Sequence, residues 1–309
     1  MSSSSPPSTS PYVVRGAGYG VIEIAGPDRV RWLHGLTSNE VKKLRPGEGN
    51  YALILTGKGK IVAELWVLCF EDRFLAVTRP EHRDRVARAL DQFLLMDDVT
   101  LSDRSHSHVV VGLHPSPGTD LGAVPKFDAP AREGHHTGTE FPIVAVNEFG
   151  WPGYLWLVPT ERVDGLLEEL NLPPDRGELE VRRIEQGVPR WGIEMDAETI
   201  PIEAGLESRA ISYDKGCFVG QEIIARIKTY GEVAKKLWGI RWTGEGPVAP
   251  KTTFQRDAAE AGWVTSSAVS PVFGPISLAY VKRGHGEAGA EVRTAEGRIG
   301  AMAPLPFAR

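Results

Sequence analysis

Short apolar runs separated by glycine and proline fill the C-terminal end of the chain, and they restrict what this end can fold into. The runs are LWGIRW, GWVTSSAVS, ISLAYVK and AEVRTAEGRIGAMAP, all within residues 236–309. Runs of this length with turn residues between them are typical of β-strands in small barrels and sandwiches. The sequence therefore predicts an all-β domain over residues 236–309.

Residues 12–235 have a different texture, in which strand and helix patterns alternate. Strands are predicted at residues 21–26, 74–78, 99–103, 108–114, 141–149 and 153–159. Helices are predicted after the first strand, after the strand at 74–78, over 160–170, over 178–187 and over 221–230. Residues 115–138 are rich in Pro, Gly, Asp and His, which indicates a loop or an insertion. The fold class is thus α+β, with one domain over 12–235 and the all-β domain after it.

A glycine-containing turn is predicted inside the apolar stretch 51–70. Two β-rich runs flank Thr-Gly-Lys-Gly-Lys, residues 56–60, which is typical of a hairpin. Phosphate loops also contain glycine and lysine, but in them a helix follows the loop. We interpret residues 56–60 as a hairpin turn.

Capping signals mark two of the predicted helices. Asp28 stands where it can cap the first helix. Thr78 and Glu81 have the spacing of a capping box for the second helix. That helix is expected to bury one face, formed by Val86, Leu90, Phe93 and Leu94.

Composition excludes several classes of protein. The net charge is -5, from 35 Lys+Arg and 40 Asp+Glu, so we expect no direct nucleic-acid binding and no attraction to anionic lipid. No apolar run is long enough to span a membrane, and two cysteines fit a reducing compartment. Residues 1–11 carry no secretory signal and are predicted to be a disordered tail. We expect a cytoplasmic protein.

The two cysteines have different surroundings. Cys69 lies in an apolar strand and is interpreted as a small core residue. Cys217 lies in YDKGCFVGQEIIAR, residues 213–226, between glycines and just before a predicted helix. Lys215 and the helix start would favour the thiolate. Cys217 is therefore either a reactive thiol or a packing residue in a tight turn.

A metal site within the chain is not expected. A structural zinc or iron–sulfur cluster takes four protein ligands, commonly several cysteines, and this sequence offers one candidate thiolate. The eight histidines mostly fall in predicted loops or on helix surfaces, and His135 and His136 are interpreted as solvated. A transient cluster with ligands from a partner protein stays open.

Carboxylates near the cysteine supply a second set of candidate site residues. Glu222 and Arg226 share one face of the predicted helix, where they form either an exposed ion pair or part of a polar pocket. Glu203 follows a proline-containing loop and is either a cleft residue or a first-turn helix acid. A carboxylate accepts two parallel N–H bonds, as the amino-pyrimidinone edge of a pterin offers.

These residues resemble the signature of the YgfZ family. The pattern matches at Lys215, Gly216, Cys217, Gly220, Gln221, Glu222, Ala225 and Arg226. RIEQGVPRWG, IPIEAGL, IEIAGPDRVRWLHGLTSNEV and LILTGKGKIVAEL are similar to further segments of that family. The resemblance covers roughly residues 12–309 and is densest over 183–240.

The resemblance implies a fold and a function. YgfZ proteins are folate-binding relatives of the aminomethyltransferase (T-protein) of the glycine cleavage system, so a T-protein-like body with ferredoxin-like α+β elements and a C-terminal β-barrel is expected. They support iron–sulfur cluster assembly or repair and thereby affect tRNA modification. The implied cofactor is tetrahydrofolate or a derivative, and the implied partners are iron–sulfur client or assembly proteins.

The resemblance also assigns roles to individual residues. Cys217 matches the functional thiol, with Lys215 beside it. Glu203 matches a folate-contacting glutamate, and Tyr19 falls where some relatives have an aromatic folate contact. Gln221, Glu222 and Arg226 are further candidates for folate binding.

One departure from the T-protein pattern concerns catalysis. T-proteins carry a catalytic Asp in an Asn-rich segment after a strand, and the matching stretch here is VTRPEHRDRVARAL, residues 77–90. Asp84 is near the expected place, but the Asn-rich pattern is missing. A folate-dependent aminomethyltransferase or demethylase therefore stands as the alternative function.

Overall fold

The fold is known from a computed structural model, which describes residues 12–16, 18–115, 130, 132–138, 142–172, 177–231 and 233–308. Contacts divide the chain into two units. One consists of Met1–Ile54 and Val62–Arg176, and the other of Leu55–Ile61 and Gly177–Arg309. This division groups residues 177–235 with the C-terminal strands, and the boundary proposed after residue 235 stays a prediction.

The first unit contains ten strands and three α-helices among the described residues. The strands are Tyr12–Gly16 (β1), Gly20–Ala25 (β2), Gly49–Leu55 (β3), Ile61–Cys69 (β4), Arg73–Thr78 (β5), Thr100–Asp103 (β6), His108–His114 (β7), His136–Thr137 (β8), Ile143–Val146 (β9) and Gly153–Pro159 (β10). The helices are Arg29–Leu36 (α1), Arg83–Gln92 (α2) and Val163–Leu170 (α3). One sheet has the order β3-β4-β5-β2-β6 and the other β1-β7-β10-β9-β8.

Apolar strand runs set the core of this unit. β4 lies between β3 and β5, and it is buried along almost its whole length, including Trp66 and Cys69. The prediction of a buried Cys69 is confirmed. The strands expected at 21–26, 74–78, 99–103, 108–114 and 153–159 are confirmed to within a residue at each end.

Neither predicted helix cap forms its side-chain hydrogen bond to the helix backbone. Thr78 ends β5, and its hydroxyl donates to the Glu64 carbonyl at 2.6 Å instead of capping α2. A short 3₁₀ helix at Pro80–His82 separates β5 from α2, so no capping box forms with Glu81. Asp28 does occupy the N-cap position of α1, but its carboxylate accepts the Asp98 N–H at 3.0 Å.

Two further expectations for this unit are corrected. The buried face of α2 ends at Leu90, because the helix stops at Gln92 and Phe93 is exposed. His136 lies in the short strand β8 and is buried, so the prediction of a solvated side chain is wrong. Its ring nitrogen Nε2 contacts the Cys69 carbonyl oxygen at 2.8 Å. Most of the predicted loop at 115–138 lies outside the described residues.

The second unit contains a closed β-barrel, as the sequence predicts. Its strands are Lys235–Trp242 (β11), Thr253–Arg256 (β12), Ala259–Ser270 (β13), Gly274–Lys282 (β14), Glu291–Thr294 (β15) and Ile299–Ala303 (β16). They close in the order β11-β14-β13-β12-β15-β16 around an apolar core. The helices of this unit are Glu178–Glu185 (α4), Glu207–Ala210 (α5) and Gln221–Tyr230 (α6).

A buried hydrogen-bond network around an ion pair joins α4 to the barrel through Ser266 of β13. Arg183 is 1% exposed and donates to Glu194 at 3.0 Å, to Ser266 at 2.6 Å and to the Val188 carbonyl at 2.6 Å. Ser266 in turn donates to the second oxygen of Glu194. Both carboxylate oxygens are thereby satisfied, which is the condition for keeping a carboxylate in the interior. Glu180 also pairs with Arg183 but is half-exposed.

Removing the buried carboxylate should destabilise the protein strongly. We expect Glu194→Ala to lower the free energy of unfolding by about 3–5 kcal/mol, because Arg183 keeps a buried charge without its main partner. Glu180→Ala is the control and should cost about 1 kcal/mol or less, since Glu180 is half-exposed and water screens its side of the pair. Urea denaturation measures both, and equal losses would contradict the assignment.

Candidate functional site

Cys217 is presented to solvent by a loop whose neighbouring residues are buried. The loop runs between α5 and α6, with Lys215 and Phe218 inside and Gly216 and Cys217 exposed. The Lys215 ammonium lies 5.0 Å from the centre of the Phe218 ring, a cation–π arrangement. Because the loop is held from within on both sides of the thiol, Cys217 is accessible without being a packing residue.

The start of this loop is tied to both neighbouring helices. The Tyr213 hydroxyl donates to Glu207 of α5 at 2.8 Å. Lys228 of α6 places its ammonium 3.3 Å from the centre of the Tyr213 ring. Burial, reinforced by the hydrogen bond to Glu207 and its charge, raises the pKa of Tyr213, so the hydroxyl stays a donor. Tyr213 therefore fixes the chain just before Lys215.

The end of the loop packs against the tip of the β3–β4 hairpin, residues 55–61. Gly220 has φ +86, and a Cβ there would lie 2.6 Å from the Thr56 carbonyl oxygen. Gly59 has φ +72, and a Cβ there would lie 3.2 Å from Ile223 of α6. Only glycine adopts these backbone angles without strain while allowing so close an approach. The turn Thr-Gly-Lys-Gly-Lys thus serves as a packing surface for the cysteine-containing segment.

The same hairpin tip contacts the segment that leads to Glu203. The Ile61 N–H donates to the Thr199 carbonyl at 2.9 Å, and Lys60 forms an ion pair with Glu198. Thr199 is buried, so this backbone bond is shielded from water. The hairpin tip is therefore in contact with both candidate segments of the second unit.

Glu203 is a buried carboxylate in a tight turn. Its Oε2 accepts the Ile200 N–H at 3.3 Å, and its own backbone carbonyl accepts the Leu237 N–H at 2.9 Å. Burial raises the pKa of Glu203, against the lowering effects of the Ile200 N–H and the Lys235 charge. A carboxylate kept inside with incomplete compensation is a common feature of functional sites.

Lys235, Tyr280 and Trp263 form the charged and aromatic surroundings of this carboxylate. The Lys235 ammonium lies 4.4 Å from the centre of the Tyr280 ring and 5.5 Å from that of Trp263. Burial, together with the charge of Glu203, raises the pKa of Tyr280. No local motif in the sequence signals these three residues, which are distant from Glu203 along the chain.

The remaining candidates on α6 are surface residues. Glu222 and Arg226 are exposed and Gln221 is half-buried. Within the described residues no ion pair joins Glu222 to Arg226, so the exposed pair is not formed. The helix itself is as predicted, and these three side chains project from its first two turns.

Tyr19 lies in the first unit and is hydrogen-bonded there. Its hydroxyl donates to Glu148 at 2.7 Å, and Glu148 also accepts from Arg79 at 3.1 Å. Arg79 is buried between Glu148 and Glu64, a network that the sequence analysis did not find. Asp84 is exposed at the start of α2.

The described residues contain no group of three His, Cys, Asp or Glu side chains arranged to hold a metal ion. Among the described helices, none is long and apolar enough to cross a membrane.

Comparison with known proteins finds similarity to aminomethyltransferases. Residues 16–116 match the GCVT N-terminal domain. An aminomethyltransferase of Rubrobacter xylanophilus is 29% identical over 94% of this chain and 81% of its own length. That of Aquifex aeolicus is also 29% identical, over 91% and 80%. A putative chloroplastic transferase of Arabidopsis thaliana is 25% identical over 94% and 69%.

The fold agrees with these matches. The crystal structure of glycine cleavage system aminomethyltransferase T from Bartonella henselae superimposes with a TM-score of 0.84, covering 97% of this chain and 87% of that one. Its sequence identity is 18%, so it establishes the fold alone. The chain is thus similar in sequence to aminomethyltransferases. The expected T-protein-like α+β fold with a C-terminal barrel is confirmed.

The match to the GCVT N-terminal domain ends before most of the candidate site. Residues 16–116 include the hairpin tip, but Glu203 and Cys217 lie beyond them. The match therefore leaves the roles of Glu203 and Cys217 as predictions.

Alkylation of the native protein should distinguish its two cysteines. We expect iodoacetamide to modify Cys217 alone, because its thiol is exposed while Cys69 is buried. Burial also raises the pKa of Cys69, which lowers its thiolate fraction at neutral pH. Mass spectrometry should show one adduct, none in Cys217→Ser, and a second adduct only after unfolding. Equal labelling of both thiols in the native state would contradict the assignment.

The pKa of Glu203 predicts a pH-dependent gain in stability on its replacement. Because the folded-state pKa lies above the usual 4.5, protonation of Glu203 favours the folded state, and this contribution is lost as the pH rises through the raised pKa. The stability of Glu203→Gln relative to the wild type should therefore be higher at pH 7 than below pH 4.5. Urea denaturation at both pH values measures this, with Glu222→Gln as the exposed control.

Proposed function

We propose that this protein is a folate-binding accessory factor for the assembly or repair of iron–sulfur clusters, with Cys217 as its functional thiol. The observation that carries the proposal is the exposed Cys217 between two buried residues, in a segment that resembles the YgfZ signature. An effect on tRNA modification would follow indirectly, through clients that contain clusters.

Folate binding is supported by the chemistry around Glu203. A buried carboxylate fits the N–H donors of a pterin, and the rings of Tyr280 and Trp263 lie beside the same cation. Lys235 favours the ionised form of Glu203, the form that accepts two N–H bonds. Tetrahydrofolate, when bound, supplies an acceptor for one-carbon units. The exposed Gln221, Glu222 and Arg226 stay candidates for contacts to the outer part of the ligand.

The thiol is placed for contact with another macromolecule. Cys217 is exposed, and the described residues offer no further ligands that would complete a cluster around it. A cluster ligated in passing would therefore take its remaining ligands from a client or assembly protein. Lys215, which is buried two residues before the thiol, stays the second candidate residue of this site.

A folate-dependent aminomethyltransferase or demethylase is the second candidate, favoured by the names of the relatives. The segment at residues 77–90 lacks the Asn-rich pattern of T-proteins, and Asp84 is exposed at the start of α2. This candidate predicts turnover of a one-carbon donor on an amine by the purified protein. Tight folate binding without turnover across a panel of amines would count against it.

Folate affinity is the direct test of the Glu203 assignment. We expect Glu203→Gln to weaken tetrahydrofolate binding about tenfold to a hundredfold, because hydrogen bonds to a charged acceptor contribute about 1.5–3 kcal/mol each. Isothermal titration calorimetry measures the affinity. Cys217→Ala is the control and should bind as tightly as the wild type, and unchanged binding by Glu203→Gln would remove Glu203 from the site.

Client activity in cells tests the thiol. We expect Cys217→Ala to lower the activity of an iron–sulfur enzyme to the level of a deletion strain, while Cys69→Ala leaves it near wild type. Immunoblotting should show equal amounts of the two variants. Full client activity with Cys217→Ala would refute the proposed role of the thiol.

A further inference from the structure

The hairpin tip, residues 55–61, contacts two segments that are far from it in sequence. On one side it packs against the end of the Cys217 loop, and on the other it bonds to the segment before Glu203. The contact-based division also groups the tip with these segments, although its two strands belong to a sheet of the other unit.

We propose that the hairpin tip is a positioning element, which holds the Cys217 loop in a fixed place relative to the Glu203 segment. The proposal rests on the proposed function of those two residues. It assigns a role to Thr56, Gly59, Lys60 and Ile61, none of which is proposed to touch the ligand or the client.

The contact with the cysteine loop leaves almost no space for movement. The Thr56 carbonyl, which any side chain at Gly220 would strike, already accepts the Gly59 N–H at 2.8 Å. A shift of Gly220 therefore disturbs the turn itself, and a shift of the turn moves Gly220. Gly220 is also the N-cap residue of α6 and stands three residues after Cys217. Displacement of the tip must for this reason reach the thiol loop.

The contact with the Glu203 segment is made by the backbone and by one ion pair. Ile61 bonds to the buried Thr199, and Lys60 pairs with the exposed Glu198. Thr199 and Glu203 belong to consecutive turns, since Glu203 accepts the Ile200 N–H. A ligand that reorders the turn at Glu203 would thus act on the tip, and through it on the loop of Cys217.

The first test compares two glycines of the same turn without any folate present. Gly59 has a left-handed backbone and contacts Ile223, whereas a Cβ at Gly57 would meet nothing within 4 Å. The readout is the rate of reaction of Cys217 with a disulfide reagent in the folded protein, in a Cys69→Ala background. Gly59→Ala should change this rate about tenfold, as expected if the strain of a Cβ in that conformation is relieved by displacement of the Cys217 loop. Gly57→Ala should leave it unchanged.

A purely structural role for Gly59 gives a different result. In that case Gly59→Ala lowers the thermal midpoint while the rate of the folded protein stays that of the wild type, and this outcome overturns the proposal. If Gly59→Ala does not fold, Ile223→Ala serves as the second variant. It removes the side chain that faces Gly59 from α6, and an unchanged thiol rate in it also overturns the proposal.

The second test uses tetrahydrofolate and the ion pair of the tip. We expect saturating tetrahydrofolate to change the thiol rate of the wild type, and Lys60→Met to reduce that change while it still binds tetrahydrofolate. Binding without any effect on the wild-type thiol rate overturns the link between the two segments. Absence of tetrahydrofolate binding refutes the proposed function instead, and the folate-free comparison of Gly59 and Gly57 then decides the role of the tip by itself.

Discussion

The close approach of Gly220 to the Thr56 carbonyl is the contact on which the arrangement of the candidate site depends. It brings the hairpin tip against the segment that carries Cys217, and it requires a residue without a side chain at a left-handed position. Gly59 meets the same requirement from the opposite side. Two glycines that face each other in this way explain why a turn and a distant loop-helix junction behave as one packed piece.

Two buried carboxylates of the second unit differ in how their charges are compensated. Glu194 is satisfied by Arg183, by Ser266 and by the backbone N–H of Arg190, so its charge is fully compensated. Glu203 has a single backbone donor within the described residues and a raised pKa. Compensation of the first kind stabilises a fold, whereas the incomplete compensation of Glu203 leaves acceptor capacity for a ligand.

The sequence was informative where structure depends on neighbouring residues. Strand positions followed from apolar runs and turn residues, and the barrel followed from their repetition without helix patterns. The errors arose where a side chain has a hydrogen-bond partner that is distant in sequence. Thr78 bonds to Glu64, Asp28 to Asp98, and His136 to Cys69. For the same reason Cys217 was recognisable from its local pattern, while Lys235 beside Glu203 had no local signal to reveal it.

If Cys217 and Glu203 act as proposed, the exposure of the thiol and the burial of the carboxylate call for ligands of different size. A buried carboxylate suits a small heterocycle that is desolvated on binding, and an exposed thiol suits contact with the surface of another protein. An accessory factor needs both properties, because its small ligand and its client protein occupy different places. On the proposed function, a fixed element between the two would allow one ligand to affect the other.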